Sequence, residues 1–544
     1  MQPILDVAAE LGFARDEVRP YGSTVAKIPV SVARARADKG RRGKLILVSG
    51  MTPTKFGEGK TVTSIGLAMG LRALGHRSVV CLRQPSLGPV FGIKGGATGG
   101  GVATVEPMSQ INLGLTGDLH AVSLAHNLLS AMIDNHFYQG NELKLDGSRV
   151  VWPRTVDVED RALRQIVTGI GGAPRDFPRE SRFVITPASE VTAILGLARD
   201  YADLKDRLGR ILIGWRNKTE PVRARDLGAA GAMAALMRDA LEPNLMQATD
   251  GTPAFVHGGP FGNIAHGTCS RLSIELGLAS SDYCVVEAGF ATDLGAEKFV
   301  NIVSRLAGFG VDAGVLVATI RALRHHGGVP DDQIDHPNVD GVRKGLDNLA
   351  QHVENLKSFG IEAVVALNRF PSDSPEEIRA VEEFAEAQHV ALAPSMVFAQ
   401  GANGAKELAT RVKEAVSHGR TSHPLYPDGT SVEKAVEMVV TQIYGGAGVS
   451  WEKEATNELA KLRAIGEDVG PVCIAKTAVS LSDNGKLIGR PRGFRPVVKR
   501  VTRSAGAGWT VVYLGDIETM PGLPKHPLAE RIDLLPDGTV TGMG

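Results

Sequence analysis

Aromatic residues are scarce in this chain, 5% of 544 residues, while glycine is abundant at 64. That balance disfavours an aromatic-rich β-sandwich and favours many tight backbone turns around ligands. Cysteine is nearly missing as well. Cys81, Cys269, Cys284 and Cys473 are scattered, three of them in or beside apolar runs, and no CxxC pair exists. Neither a zinc site nor a disulfide framework is indicated. There is no excess charge of either sign, with 60 Lys and Arg against 60 Asp and Glu, and no long basic block. A nucleic-acid partner therefore has no electrostatic support. No apolar run approaches the ~18 residues of a membrane span, so no membrane partner is expected. The N-terminus, MQPILDVAAELGF, lacks the basic region and long apolar core of a secretory signal. A cytoplasmic protein is the expectation. The length exceeds what one hydrophobic core serves, so two to four domains are expected.

What is present centres on Val48–Ser64, VSGMTPTKFGEGKTVTS. Leu45–Val48 reads as a buried strand, and a helical period begins at Lys60, with Val62, Ile65, Ala68, Leu71 and Leu74 on one side and Gly75 as C-terminal cap. Between them lies a glycine-rich turn. Strand, loop, Gly-Lys-Thr and helix together form a phosphate cradle, in which loop and helix N–H groups face the anion and the helix dipole adds positive potential. Lys60 would reach terminal phosphates, and the Thr61 hydroxyl would ligate Mg²⁺. The strict P-loop has Gly six residues before the Lys, where this chain has Thr54, so this is a variant P-loop. The bland alternative is an ordinary glycine-rich strand–helix turn. The nucleotide-binding candidates are Thr52, Pro53, Thr54, Lys55, Phe56, Gly57, Glu58, Gly59, Lys60 and Thr61.

Ser78–Leu82 completes a βαβ unit and implies a sheet that is parallel at its centre. Arg83 follows that strand directly. Ligands of open parallel sheets bind outside the carboxyl ends of strands, so Arg83 shares a rim with the loop and can clamp a carboxylate or phosphate. Pairing with a structural carboxylate is its bland alternative. In Phe91–Gly101, six of eleven residues are glycine and one is Lys94, a density that permits close approach to a ligand or loop motion. Asp118, just after a Thr-Gly turn, is a candidate cation ligand; His120 and His126 read equally well as capping or core histidines. His257 and His266, in PAFVHGGPFGNIAHG, have poor metal spacing, and a phosphate- or acid-contacting loop is the better reading. Tyr283–Glu287 reads as a buried strand ending where P-loop enzymes place an Mg²⁺- or water-organising acid, followed by Phe290, Asp293 and Glu297. Further strands are expected at Gly314–Thr319 and Ala363–Leu367, and helices at Ser189–Leu208, Asp340–Phe359 and after Pro375.

The expected fold is α/β, a P-loop NTPase-type, mostly parallel sheet core with additional smaller α/β domains. The nucleotide-binding core spans 1–350, with an inserted α/β segment at about 141–225. A second α/β domain spans 351–450, and a small C-terminal α/β domain spans 451–544.

From end to end the chain resembles the formate–tetrahydrofolate ligase (10-formyltetrahydrofolate synthetase) family. The matching segments include TPTKFGEGKT, PSLGPVFGIKGG, INLGLTGD, HGGPFGNIAHG, EAGFATDLGAEKF, RALRHHGG, PVCIAKT and GDIETMPGLPKHP. The resemblance implies that ATP phosphorylates formate to formyl phosphate and that N10 of tetrahydrofolate then attacks. It implies Lys60 and Arg83 as catalytic residues, with Arg83 holding formyl phosphate. Phe290, Phe370 and Phe398 join Arg83 in binding substrate, with Phe370 and Phe398 as two walls of a pterin slot. Phe398 stands where the family usually has Trp, a smaller stacking face. Thr61 and Asp118 are the metal candidates. The family is typically a homotetramer activated by a monovalent cation. Here the cation is in question, because Gln84 replaces a usual Glu ligand. Val102, Gly114 and Ala478-Val479 also depart from the family pattern near the expected pocket. They keep open a paralogous ATP-dependent carboxylate ligase with an altered acid or acceptor. A non-catalytic nucleotide switch is disfavoured by the intact Lys60, Thr61 and Arg83.

Overall fold

The computed structural model describes residues 1–93, 98–171, 177–217 and 219–543. Lys94 of the glycine run lies outside the described residues. Seven parallel strands make the centre of one large sheet, in the spatial order Pro253–Val256, Ser78–Leu82, Tyr283–Ala291, Lys44–Gly50, Ala313–Thr319, Ala363–Asn368 and Ala391–Ser395. Antiparallel strands at Asn244–Ala248, Val25–Lys27 and Arg19–Tyr21 extend it beyond Pro253–Val256. The sheet is therefore mostly parallel, as expected, and Tyr283–Ala291 lies between the two strands of the first βαβ unit.

A parallel sheet covered by helices must bury both faces, which explains the continuous apolar runs of its strands. Leu45 and Leu47 join one core, whereas Ile46 and Val48 join the other. The helix Lys60–Ala73 lies over the Ile46 and Val48 face and buries Ile65, Leu67, Ala68 and Leu71. Leu408 and Val412 of Lys406–Ser417 complete that core. The helix Val339–Ser358 covers the opposite face.

Two expected elements differ. The strand beginning at Tyr283 does not stop at Glu287 but runs to Ala291, and its register against Lys44–Gly50 shifts between Glu287 and Ala291. The single helix expected over Ser189–Leu208 is two, Glu190–Leu197 and Tyr201–Arg210. The break arises because Asp200 caps the second helix, its carboxylate accepting from the Asp203 N–H. The inserted segment contributes three small strand pairs, and residues 450–514 form a separate four-stranded mixed sheet.

Candidate active site

At the carboxyl rim of the sheet, the loop after Lys44–Gly50 is held from several directions. Gly57 and Gly59 both have φ of +75°, which a side chain would strain. Glu58 is buried, and its Oε1 accepts from the Thr54 N–H at 2.7 Å and hydroxyl at 2.9 Å. Asn368, at the end of the strand Ala363–Asn368, two places along the sheet, donates to the Glu58 carbonyl at 2.7 Å and accepts from the Thr63 hydroxyl at 3.0 Å. Thr52 is fixed by two histidines. Its N–H donates to His352 Nε2 at 2.8 Å, and its carbonyl accepts from His326 Nε2 at 2.8 Å. Burial holds both imidazoles down to about 4, so they are neutral near pH 7. The His352 proton therefore sits on Nδ1, donated to Thr292 at 2.7 Å.

This divides the ten loop residues by what they have left to offer. The N–H groups of Thr52 and Thr54 are engaged inside the protein, and Lys55 reaches out to Asp331 at 2.6 Å. Phe56 packs edge-on near His325. The N–H groups of Lys60 and Thr61 open the helix and have no carbonyl four residues behind them. The side chains of Lys60 and Thr61 make no hydrogen bond or ion pair with other described residues, and Lys60 passes close against Gly50.

Beside Thr61 is a cavity of about 330 Å³ whose wall includes Arg83, Gln84, Glu287, Phe290, Asn263 and Glu518. Three sequence candidates, Thr61, Arg83 and Phe290, thus meet in one space. Arg83 stands 3.6 Å from Glu287 Oε1 and against the bare Cα of Gly289, but donates no hydrogen bond to another described residue. Phe290 has φ of +60°, unusual for a residue with a side chain. Such strain persists only where the surroundings over-determine it, and it occurs where the strand bulges beside Arg83. Gln84 is 2% exposed, and neither its amide nitrogen nor its amide oxygen has a partner among the described residues.

Of the three acids considered for Mg²⁺, only Glu287 lines this cavity. Asp293 is in a buried ion pair with Lys476 at 2.7 Å. Glu297 accepts from Asn301 at 2.8 Å, and burial pushes it up to about 7. Asp118, the other metal candidate, is engaged inside the protein. Its carboxylate is buried and accepts from Lys27 at 2.8 Å, Asn244 at 2.7 Å and Thr116 at 3.1 Å. The lysine within the apolar run Val25-Ala26-Lys27-Ile28 was the sequence signal for that partner, because a buried charge needs one. His126, His257 and His266 are buried neutral histidines, pushed down to about 3, 4 and 3 chiefly by burial.

Phe370 and Phe398 follow adjacent parallel strands, Ala363–Asn368 and Ala391–Ser395, so they share the rim. They are 38% and 64% exposed, available as stacking faces. Arg321 covers the Phe370 ring at 5.3 Å, and the Phe398 ring lies against Gly100. Residues that sequence reasoning missed are His326, His352 and Asn368, which hold the loop, and Glu518, which reaches the cavity from GDIETMPGLPKHP.

Comparison with known proteins bears on what this rim does. A family model described as formate–tetrahydrofolate ligase matches residues 1–544. A formate–tetrahydrofolate ligase of Thermus thermophilus is 52% identical over 541 residues, covering 99% of this chain and 98% of that protein. One of Thermoplasma volcanium is 50% identical over 545 residues, covering 100% of both.

Proposed function

The chain belongs to the formate–tetrahydrofolate ligase family, and from that premise we propose that it joins formate to tetrahydrofolate at the expense of ATP by way of formyl phosphate. A formate oxygen attacks the γ-phosphorus, and ADP leaves. The N10 amine then attacks the formyl carbon, and the carbon–oxygen bond to phosphate breaks. 10-Formyltetrahydrofolate and phosphate are released. The single observation that carries the site assignment is the cavity shared by Thr61, Arg83, Glu287 and Phe290 beside the glycine-rich loop.

Each residue has a task set by its chemistry. Lys60 neutralises the terminal phosphates, with the first helix N–H groups as donors. Arg83, whose fork donates no hydrogen bond to another described residue, holds the formyl phosphate and the charge that grows on it. Phe370 and Phe398 sandwich the pterin. Mg²⁺ takes few protein ligands beside substrate phosphates, and the Thr61 hydroxyl with Glu287 fits that demand. It would offset the charge between β- and γ-phosphates. No monovalent-cation ligand is assigned to Asp118, and Gln84 brings no charge. All four cysteines are buried and free, consistent with a cytoplasmic enzyme, and the family resemblance supports a homotetramer.

Labelled formate tests the intermediate. With both formate oxygens as ¹⁸O, one label should appear in inorganic phosphate for each turnover. Phosphate free of label would rule out the formyl phosphate route while leaving the ligation itself intact.

A further inference from the structure

A second cavity, of about 510 Å³, lies between the inserted segment and the C-terminal sheet, and it shares no lining residue with the Arg83 cavity. One wall is the stretch Arg179–Arg182, and the facing wall is formed by the strands Val497–Ser504 and Trp509–Leu514.

Donors without acceptors collect in this cavity. Arg179 Nε, Ser181 Oγ and Arg182 Nε are buried and have no hydrogen-bond partner among the described residues. A buried donor without an acceptor is unfavourable, so three within four residues need an explanation. Charge points the same way. Arg182 and Arg500 form no ion pair with any described residue; Arg500 lies over the Tyr513 ring at 4.1 Å. The other wall cations are neutralised, Arg179 by Asp134 at 2.7 Å, Arg503 by Glu467 at 2.8 Å and Lys461 by Glu458. Arg149 pairs with Asp146 at 3.1 Å. Of the wall acids, Glu190 accepts from the Gly506 and Ala507 N–H groups and is pushed by burial up to about 7. Glu180 and Glu454 are exposed. Burial, and next the charge of Arg500, hold Arg182 below the usual arginine range. Two guanidiniums thus line one space with no counter-ion among the described residues.

We infer that this cavity is a second ligand site, which takes a phosphate-bearing small molecule on Arg182, Arg500 and Ser181. Two forked cations and a hydroxyl match a dianion better than a monocarboxylate. The volume falls within the roughly 300–1,000 Å³ range of small-molecule sites. The inference does not rest on the proposed ligase chemistry, since no residue is shared.

Trp152 and Trp215 line the cavity and report on it. Titration of inorganic pyrophosphate into the full chain, followed by tryptophan fluorescence, should give a saturable change that survives Arg83→Ala. It should weaken at least tenfold in the double variant Arg182→Gln/Arg500→Gln. That double variant, without ligand, should unfold at the same or a higher temperature than the unaltered protein, because a like-charge pair has been removed. A titration lost in Arg83→Ala and retained in the double variant would overturn the proposal. So would a double variant that melts lower or fails to fold, since the two arginines would then be structural.

Discussion

Arg83 is the residue whose surroundings are most specific. It has buried Glu287 at 3.6 Å to hold its direction, a glycine at 289 to make room, and no hydrogen bond to another described residue. Arg83→Ala should leave nucleotide binding within a few-fold while ligation falls on the order of 10²–10³-fold, the loss typical of one transition-state donor. Nucleotide affinity by calorimetry beside turnover rate separates the two. Parallel loss of both would make Arg83 part of the nucleotide site or of the fold. Its neighbour Gln84 is buried with no partner for its amide among the described residues, and a neutral amide holds a monovalent cation less firmly than a carboxylate. Activity should respond weakly to K⁺, and Gln84→Glu should increase that response. Strong K⁺ activation of the unaltered protein would show that other oxygens suffice.

At the scale of elements, the glycine-rich loop depends on a helix far along the chain. His352, on Val339–Ser358, joins Thr52 to Thr292, and Asn348 of the same helix donates to the Thr52 hydroxyl at 2.9 Å. His352→Ala leaves the buried Thr52 N–H without an acceptor, a cost of about 1–3 kcal/mol. Chemical denaturation should show that loss, and the KM for ATP should rise more than kcat falls. Unchanged ATP kinetics at reduced stability would confine His352 to the fold. This connection also marks where sequence reading ended. The strand, loop and helix around Lys60 were legible because apolar spacing and glycines are local signals. Arg83 was legible because it follows a strand in a parallel sheet. The pairing of Thr52 with a histidine 300 residues on was not, since sequence records no such contact. Nor was the left-handed Phe290 legible, because a phenylalanine gives no warning of positive φ. Asp118 shows a related limit: its place after a Thr-Gly turn does not say which residue its carboxylate pairs with, and the structure gives Lys27.

The whole molecule buries five histidines, at 126, 257, 266, 326 and 352, and burial lowers all of them to about 3 or 4. The unfolded chain protonates them at roughly 6.5, so the folded state refuses protons that the unfolded state accepts. Their contribution to stability is present above roughly 6.5 and is lost as pH falls toward 4. Glu190 and Glu297, raised by burial to about 7, act in the opposite sense; their contribution is present below the ordinary glutamate value and is lost as pH rises through 7. Melting temperature against pH should therefore level off near neutrality and drop steeply below pH 6. A flat profile from pH 4.5 to 6.5 would mean that these histidines are not held neutral. The proposed function has the loop, the Arg83 cavity and the aromatic rim act together, and one reaction tests that directly. The protein is incubated with MgATP, formate and tetrahydrofolate, then acidified, and the absorbance of 5,10-methenyltetrahydrofolate is read beside the ADP formed. One methenyl product per ADP, dependent on formate, is the predicted result; no methenyl absorbance, with ADP formed only when another carboxylic acid replaces formate, would contradict it.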